Sequence, residues 1–283
     1  MMRDPRLCAP SGGPHPIRDW ALPGALRLLV LAPHPDDFDV IGVTLRHQWR
    51  QGHALEVAVC RTSSGVEDGY RPGLTPAGKA DLREEEQRRS LRFFGLPEDR
   101  LRFLGLATDA QEQLLDTAGN RAAIATLLAD IAPDIVFLPH FKDTNGDHRI
   151  MHTLFTQAAR QSARPPLALL NRDPKTIGMR TDLYMPFGPD EAAWKAELLR
   201  FHDSQQQRNL RTRGRGFDER ILAANRATAR ELALADEYAE AFEADDPTMA
   251  KRECRGRYAI GLPERVEINA ALRGKTPCPR PAP

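Results

Sequence analysis

Short apolar runs recur along the first half of the chain, at 25–32 (ALRLLVLA), 54–60 (ALEVAVC), 100–106 (RLRFLGL) and 134–140 (DIVFLPH), and a fifth follows at 167–171 (LALLN). The first four are separated by enough polar, periodic sequence for a helix each. This is the pattern of βαβ units and a parallel sheet covered by helices on both faces. Between them, 76–94 pairs Glu84 with Arg88 and Glu85 with Arg89 at i,i+4 and closes at Gly95-Leu96-Pro97, which predicts a solvated helix. The second half changes character. Residues 190–208 read as helix, and 217–243 set Phe217, Ile221, Ala224, Thr228, Ala235, Tyr238 and Phe242 on one face at spacings of three, four or seven. The predicted fold is α/β: a Rossmann-like, mainly parallel sheet flanked by helices, with a helical C-terminal portion. Residues 1–24 and 274–283 are Pro-rich without periodicity and read as tails that order only by docking, leaving 25–273 as a single folded body.

Composition removes several function classes. Forty Lys and Arg stand against 39 Asp and Glu in 283 residues, a formal charge of +1, so there is no global field for nucleic acid or an anionic membrane. Cys8, Cys60, Cys254 and Cys278 lie far apart with no CxxC pair, as expected of a reduced cytoplasmic protein, and they argue against a cysteine zinc site. Arg3, Asp4, Arg6, Arg18 and Asp19 leave no apolar region for a signal peptide before residue 25. The apolar stretches fall far short of the roughly 20 residues of a membrane helix. A soluble, cytoplasmic protein without membrane insertion is expected.

The sharpest chemistry follows the first run: Pro33-His34-Pro35-Asp36-Asp37-Phe38-Asp39. In an open α/β sheet, ligands sit beyond the carboxyl ends of the strands. No GxGxxG is present, and three carboxylates would repel a pyrophosphate, so a cation suits the position better. One imidazole and one carboxylate supply two zinc ligands, whereas a catalytic zinc takes three from the protein. The fourth run ends in Pro139-His140-Phe141-Lys142-Asp143-Thr144-Asn145-Gly146-Asp147-His148 on the same edge, where His148 is the candidate third ligand. The plainer alternative is that Asp36 and Asp37 cap a helix, but it accounts for neither His34 nor the second His-rich rim.

At these residues the chain resembles the LmbE-like, or PIG-L, family of zinc-dependent N-deacetylases. PHPDD stands intact at 33–37 with Asp39 as a further acid. Arg83, Glu86, Ser90 and Gly95 are similar to the family's Arg-x-x-Glu helix, and Asp143-Thr144-Asn145-Gly146-Asp147-His148-Arg149 to its later His-containing element. Lys195, Ser204-Gln205 and Tyr238 to Phe242 look like its C-terminal pattern. The resemblance implies that His34, Asp37 and His148 hold Zn2+, that Asp36 is the general base, and that Arg83 touches substrate. An ion pair of Arg83 with Asp81, Glu86 or another acid is the alternative. Where many members carry a histidine that steadies the tetrahedral intermediate, this chain has Asn145, which donates a hydrogen bond but carries no positive charge.

Zinc acidifies water and polarises a carbonyl, and a carboxylate that moves the proton completes amide cleavage. The expected activity is removal of acetyl from an N-acetylated amino sugar or sugar-like conjugate, a small-molecule substrate. A zinc amidase on a non-sugar amide, or a metal-binding module without turnover, are the alternatives. Relatives point to self-association. His148 and His152 share i,i+4 spacing, but Arg149 stands where a metalloprotease needs Glu, which leaves His152 to packing or support. His140 lines the pocket or caps its strand. Arg208, Arg211, Arg213 and Arg215 read as a solvated loop, since no aromatic residue is interleaved with them as nucleic-acid binding would want.

Overall fold

The computed structural model describes residues 12–20, 22, 24–62 and 65–247. Its centre is an eight-stranded sheet: β1 (His15–Pro16), β2 (Arg27–Ala32), β3 (Ala54–Val59), β4 (Leu101–Phe103), β5 (Ile135–Pro139), β6 (Leu167–Asn171), β7 (Leu183–Phe187) and β8 (Tyr238–Asp245), in the order β1-β7-β8-β6-β5-β2-β3-β4. The strands from β2 to β6 all pair in parallel, and β8 lies antiparallel between β6 and β7. The helices are α1 (Asp37–Val40), α2 (Gly42–Arg50), α3 (Pro76–Phe94), α4 (Ala118–Ile131), α5 (Gly146–Gln161), α6 (Pro189–Arg200), α7 (Asp203–Arg213) and α8 (Phe217–Glu231). Among the described residues, no helix is long and apolar enough to cross a membrane.

The apolar runs become strands because both of their faces are buried. Side chains alternate across a strand, so Leu28, Val30, Val57, Phe137 and Leu169 join one core with α2, α3, α6 and α8. Leu29, Leu31, Ala58, Val136 and Leu170 join the other, with α4 and α5. Residues 15–16 pair with β7 and Ile17 is buried, so part of the Pro-rich opening segment docks on the sheet. The expected end of the body at 273 and the tail 274–283 lie outside the described residues, as do Cys8, Cys254 and Cys278; Cys60 is a buried, free thiol.

Three expectations need correction. The helix 76–94 is not merely solvated: Thr75 caps it by accepting from Gly78 N, and Arg83, Glu86, Gln87 and Ser90 are buried toward the sheet edge. Glu84 does pair with Arg88 at 2.9 Å, but Glu85 turns to Arg92 at 2.7 Å. The predicted helix 190–208 is two helices. The chain breaks at Phe201–His202, where the buried His202 reaches Asp39 at 2.6 Å and Ser204 N donates to Glu86. The helical face predicted over 217–243 stops at Glu231, and Tyr238 and Phe242 stand in β8 instead. Four residues is an even spacing, so the pair shares a side in a strand as well as in a helix. Strand β7, second in the sheet order, carries Pro186, whose missing N–H argues against a strand when only sequence is read.

Strand β8 also anchors the start of the functional edge. Lys195 of α6, wholly buried, donates to Glu240 of β8 at 2.6 Å, to Asn225 Oδ1 at 2.8 Å and to the carbonyl of Val40 at 2.5 Å. Glu240 in turn accepts from Val43 N at 3.1 Å and Thr44 N at 2.8 Å, the unpaired donors in the first turn of α2. One buried ion pair thus ties the segment after β2 to an element nearly 200 residues away. Replacing Glu240 by Ala leaves the buried ammonium of Lys195 without its counter-charge and two buried N–H groups without partners. Urea unfolding should show a loss of about 3–5 kcal/mol. A loss below about 1 kcal/mol would mean the pair does not hold this edge together.

Candidate metal centre

The sheet order reverses beside β2. The chain runs outward through β3 and β4, then returns to the other side of β2 as β5 and β6. Such a switch point opens a crevice at the carboxyl ends of the two central strands. His34, Asp36 and Asp37 follow β2, and Asn145, Asp147 and His148 follow β5, so the two motifs meet across that crevice.

His34, Asp37 and His148 each present a donor atom within 4.8 Å of the others. Asp37 sits between the two rings, with Oδ2 3.3 Å from His34 Nδ1 and Oδ1 3.5 Å from His148 Nε2. The backbone N–H of His34 fixes the same carboxylate at 2.8 Å. The far nitrogen of each imidazole faces another acid. His34 Nε2 lies 2.8 Å from Asp147 Oδ2, and His148 Nδ1 lies 3.2 Å from Asp143 Oδ2. Those acids are themselves held: Asp147 by Arg61 at 3.0 Å and Leu114 N at 2.7 Å, Asp143 by Asn145 N at 2.7 Å. Two imidazoles, one carboxylate and a carboxylate behind each imidazole form a donor set that suits Zn2+, with ring orientation and basicity set from behind. Asp143, His148 and Asp173 form a second close group, but Asp143 is engaged by Asn145 N and His148, and burial raises the pKa of Asp173.

The electrostatics favour a cation between these groups. Burial alone would depress the basicity of His148, but the charge of Asp37 and the contact with Asp143 override it and push its pKa up to about 10. His34 is likewise raised, because its bonds to Asp147 and Asp37 outweigh its burial. Burial works to raise the pKa of Asp37, yet the neighbouring imidazoles hold it well below the usual carboxylate range. Protons on the rings occupy the place that a metal charge would take.

Asp36 stands at the head of α1 with φ of 108°, a left-handed conformation that a residue with a Cβ rarely adopts. It makes no side-chain capping bond, so the helix-capping alternative fails for it. Asp37 spends its carboxylate on His34 N and the rings rather than on a helix N–H. Gln87 Oε1 accepts from Asp36 N at 3.1 Å, and Arg83 Nη2 lies 3.2 Å from Asp36 Oδ2 while also donating to the carbonyl of Pro35. Arg83 pairs with Glu86 at 3.2 Å, and Glu86 accepts from Ser204 N and Oγ. The ion-pair alternative is thus the one observed for Arg83, whose buried guanidinium also borders the cavity.

A cavity of about 550 Å³ opens over these residues, lined almost wholly by polar side chains, with Val40 and Phe217 the apolar exceptions. Asn145 faces it. Its Oδ1 accepts from Asp147 N to cap α5, which leaves the amide NH2 without a protein partner among the described residues. His140 does not line the cavity: buried, it accepts from Lys142 N at 2.9 Å and meets Glu243 at 3.1 Å, the strand-capping alternative. His152 packs on the Phe141 ring and lies 3.5 Å from Asp245, away from the cluster. The basic stretch is not a solvated loop, since Arg208, Arg211 and Arg213 belong to α7, and Arg208 and Arg213 reach the cavity. Sequence reading missed Arg61 and His202. Arg61 was reachable, because it directly follows the β3 run on the functional edge; His202 carries no local signal.

Residues 29–159 match the family model PIG-L: GlcNAc-PI de-N-acetylase. No curated protein matches the chain. Among solved structures, N,N'-diacetylchitobiose deacetylase from Pyrococcus horikoshii is similar with a TM-score of 0.65 at 18% identity, over 82% of this chain and 86% of that one. GalB, the 4-carboxy-2-hydroxymuconate hydratase of Pseudomonas putida KT2440, is similar with a TM-score of 0.61 at 18% identity, over 81% and 99% of the two chains. The A40926 pseudoaglycone deacetylase Dbv21 follows with 0.58 at 19% identity, over 81% and 100%. At such identities these likenesses establish a shared fold. The stretch that matches the PIG-L family model, residues 29–159, is the one that brings together both motifs of the crevice.

Proposed function

We propose that the protein is a zinc-dependent N-deacetylase that hydrolyses the acetamide of an N-acetylated amino sugar or sugar-like conjugate to acetate and a free amine. The observation that carries this reading is the cluster of His34, Asp37 and His148 at the floor of a polar cavity, with each imidazole backed by an acid and Asp36 beside it. His34, Asp37 and His148 would hold the zinc, which when bound would supply a water acidified to a pKa of about 7 and a Lewis acid for the amide carbonyl. Asp36 takes a proton from the attacking water and delivers it to the departing nitrogen. Arg83, on one oxygen of Asp36, fixes the direction of that carboxylate and leaves the other oxygen for the proton. The unpartnered amide of Asn145 donates to the carbonyl oxygen as negative charge develops there. The polar lining of the cavity favours a hydroxyl-rich substrate over an apolar amide.

Because the same fold also serves a hydratase, the decisive measurement is acetate release from N-acetyl sugars by zinc-loaded protein, beside metal content. Asp36→Asn should keep about one zinc per chain and lose about a hundred- to ten-thousandfold in kcat/KM. Asp37→Ala should lose the metal itself. Bound zinc without acetate release from any N-acetylated substrate would return the protein to the class of metal-binding modules or to another reaction.

The raised pKa values carry a pH signature. In the metal-free protein His148 keeps its proton until pH rises through about 10, so zinc must displace protons at neutral pH. The apparent zinc affinity should therefore rise between pH 6 and 8, by about tenfold per unit for each proton displaced. Titration against a competing chelator measures the slope, and a flat profile would show that the imidazoles are already neutral.

A further inference from the structure

The cavity has a cationic wall that the reaction above does not use. Arg208 and Arg213 of α7 and Arg220 of α8 line it. The other arginines that border it are matched by acids, Arg61 by Asp147 at 3.0 Å and Arg83 by Asp36 and Glu86 at 3.2 Å each. Arg213 and Arg220 have no carboxylate within 4.0 Å among the described residues. The nearest to Arg208 is Glu67 at 3.9 Å, and that acid already accepts from Arg211 at 2.9 Å.

What holds this wall together is neutral. Asn209 Oδ1 accepts from Arg220 at 2.9 Å and from Arg213 at 3.3 Å, while its Nδ2 donates to the carbonyl of Gln205 at 2.8 Å. An amide can draw two guanidiniums together but does not cancel their charge. Arg220 is half-buried, and its basicity is lowered by that burial and by Arg213 and Arg208, against the pull of Asp173 and Asp36. Guanidiniums gathered without an acid in a concave, polar site match an oxyanion with paired acceptor oxygens. Arg211, on the same helix, shows the ordinary surface alternative: it turns away to Glu67.

We propose that Arg208, Arg213 and Arg220 form an anion subsite that takes a carboxylate or phosphate group carried by the substrate, while the amide to be cleaved sits over His34, Asp37 and His148. The cavity of about 550 Å³ is of the size that holds a ligand of both parts. The amide half of this statement rests on the deacetylase reading; the anion half does not.

The test uses the zinc-loaded full chain, its Arg213→Gln/Arg220→Gln variant, and two probes, inorganic phosphate and malonate, with binding followed by calorimetry. At least one probe should bind the wild type and bind the variant about tenfold or more weakly. The tighter of the two probes names the acid. In parallel, kcat/KM is compared for N-acetylglucosamine and N-acetylglucosamine 6-phosphate, and the preference for the anionic sugar should collapse about tenfold in the variant. Arg208→Gln/Arg213→Gln, both on the outer part of α7, carries the same expectation if the first variant fails to fold. Failure of both probes to bind, or equal binding by wild type and folded variants, overturns the subsite. Arginine-dependent anion binding with no acetate released from these sugars or from any other N-acetylated substrate keeps the subsite and overturns the deacetylase reading instead.

Discussion

Negative charge crowded at one edge of the sheet is the constraint on which the rest of the structure depends. Asp36, Asp37, Asp39, Asp143, Asp147 and Asp173 converge beyond the ends of β2, β5 and β6, and most of them are buried. Two like charges about 4 Å apart repel by about 4 kcal/mol at an effective dielectric of about 20. A fold stabilised by about 5–15 kcal/mol in total cannot carry several such pairs uncompensated. Each acid accordingly has its own answer. Asp37 lies between His34 and His148, Asp147 between His34 and Arg61, Asp143 against His148, Asp39 against His202 and Asp36 against Arg83, while burial raises the pKa of Asp173. Without the two imidazoles, Asp37 and Asp147 would lose the groups that offset their charge.

That requirement explains why elements remote in sequence are built as they are. The break between α6 and α7 brings His202 to Asp39 and Ser204 to Glu86, the acid that steadies Arg83, which in turn steadies Asp36. The strained backbone at Asp36 persists because its N–H and its carboxylate are both held from α3. On the other side, Lys195 and Glu240 clamp Val40 and the start of α2. The segment 33–44 is therefore fixed from α3, α6 and β8 at once, which gives the donor atoms a geometry that does not wait for ligand.

The parts legible in the sequence are those whose signal is local. Strands buried on both faces leave continuous apolar runs, and all five expected runs are strands. The two histidine-bearing motifs follow two of those runs, and strand direction alone puts them on one edge, so His34 and His148 group from the sequence, while the choice of Asp37 among the neighbouring acids comes from the family resemblance. What stayed hidden is what depends on distant partners. His202 meets Asp39 across 163 residues, and Glu240 meets Thr44 across 196. Neither shows in any window of sequence. Tyr238 and Phe242 misled because their spacing satisfies both periodicities, and Arg208 to Arg215 because a run of arginines reads as solvated until its helix is seen to border a cavity.

The position of Asn145 sharpens how charge is divided within that cavity. As a cap on α5 its Oδ1 is committed to Asp147 N, and its amide is aimed without any cost of reorientation. A neutral donor there adds nothing to the positive charge already balanced among the imidazoles and their acids, so the neighbouring carboxylates keep their partners undisturbed. Positive charge free of a close acid is placed farther along the wall instead, on α7 and α8, where Asn209 holds two guanidiniums together without neutralising them. The two kinds of charge are thereby separated: the acids at the floor of the cavity face imidazoles and the proposed metal, and the arginines of the wall face the anion proposed to bind there.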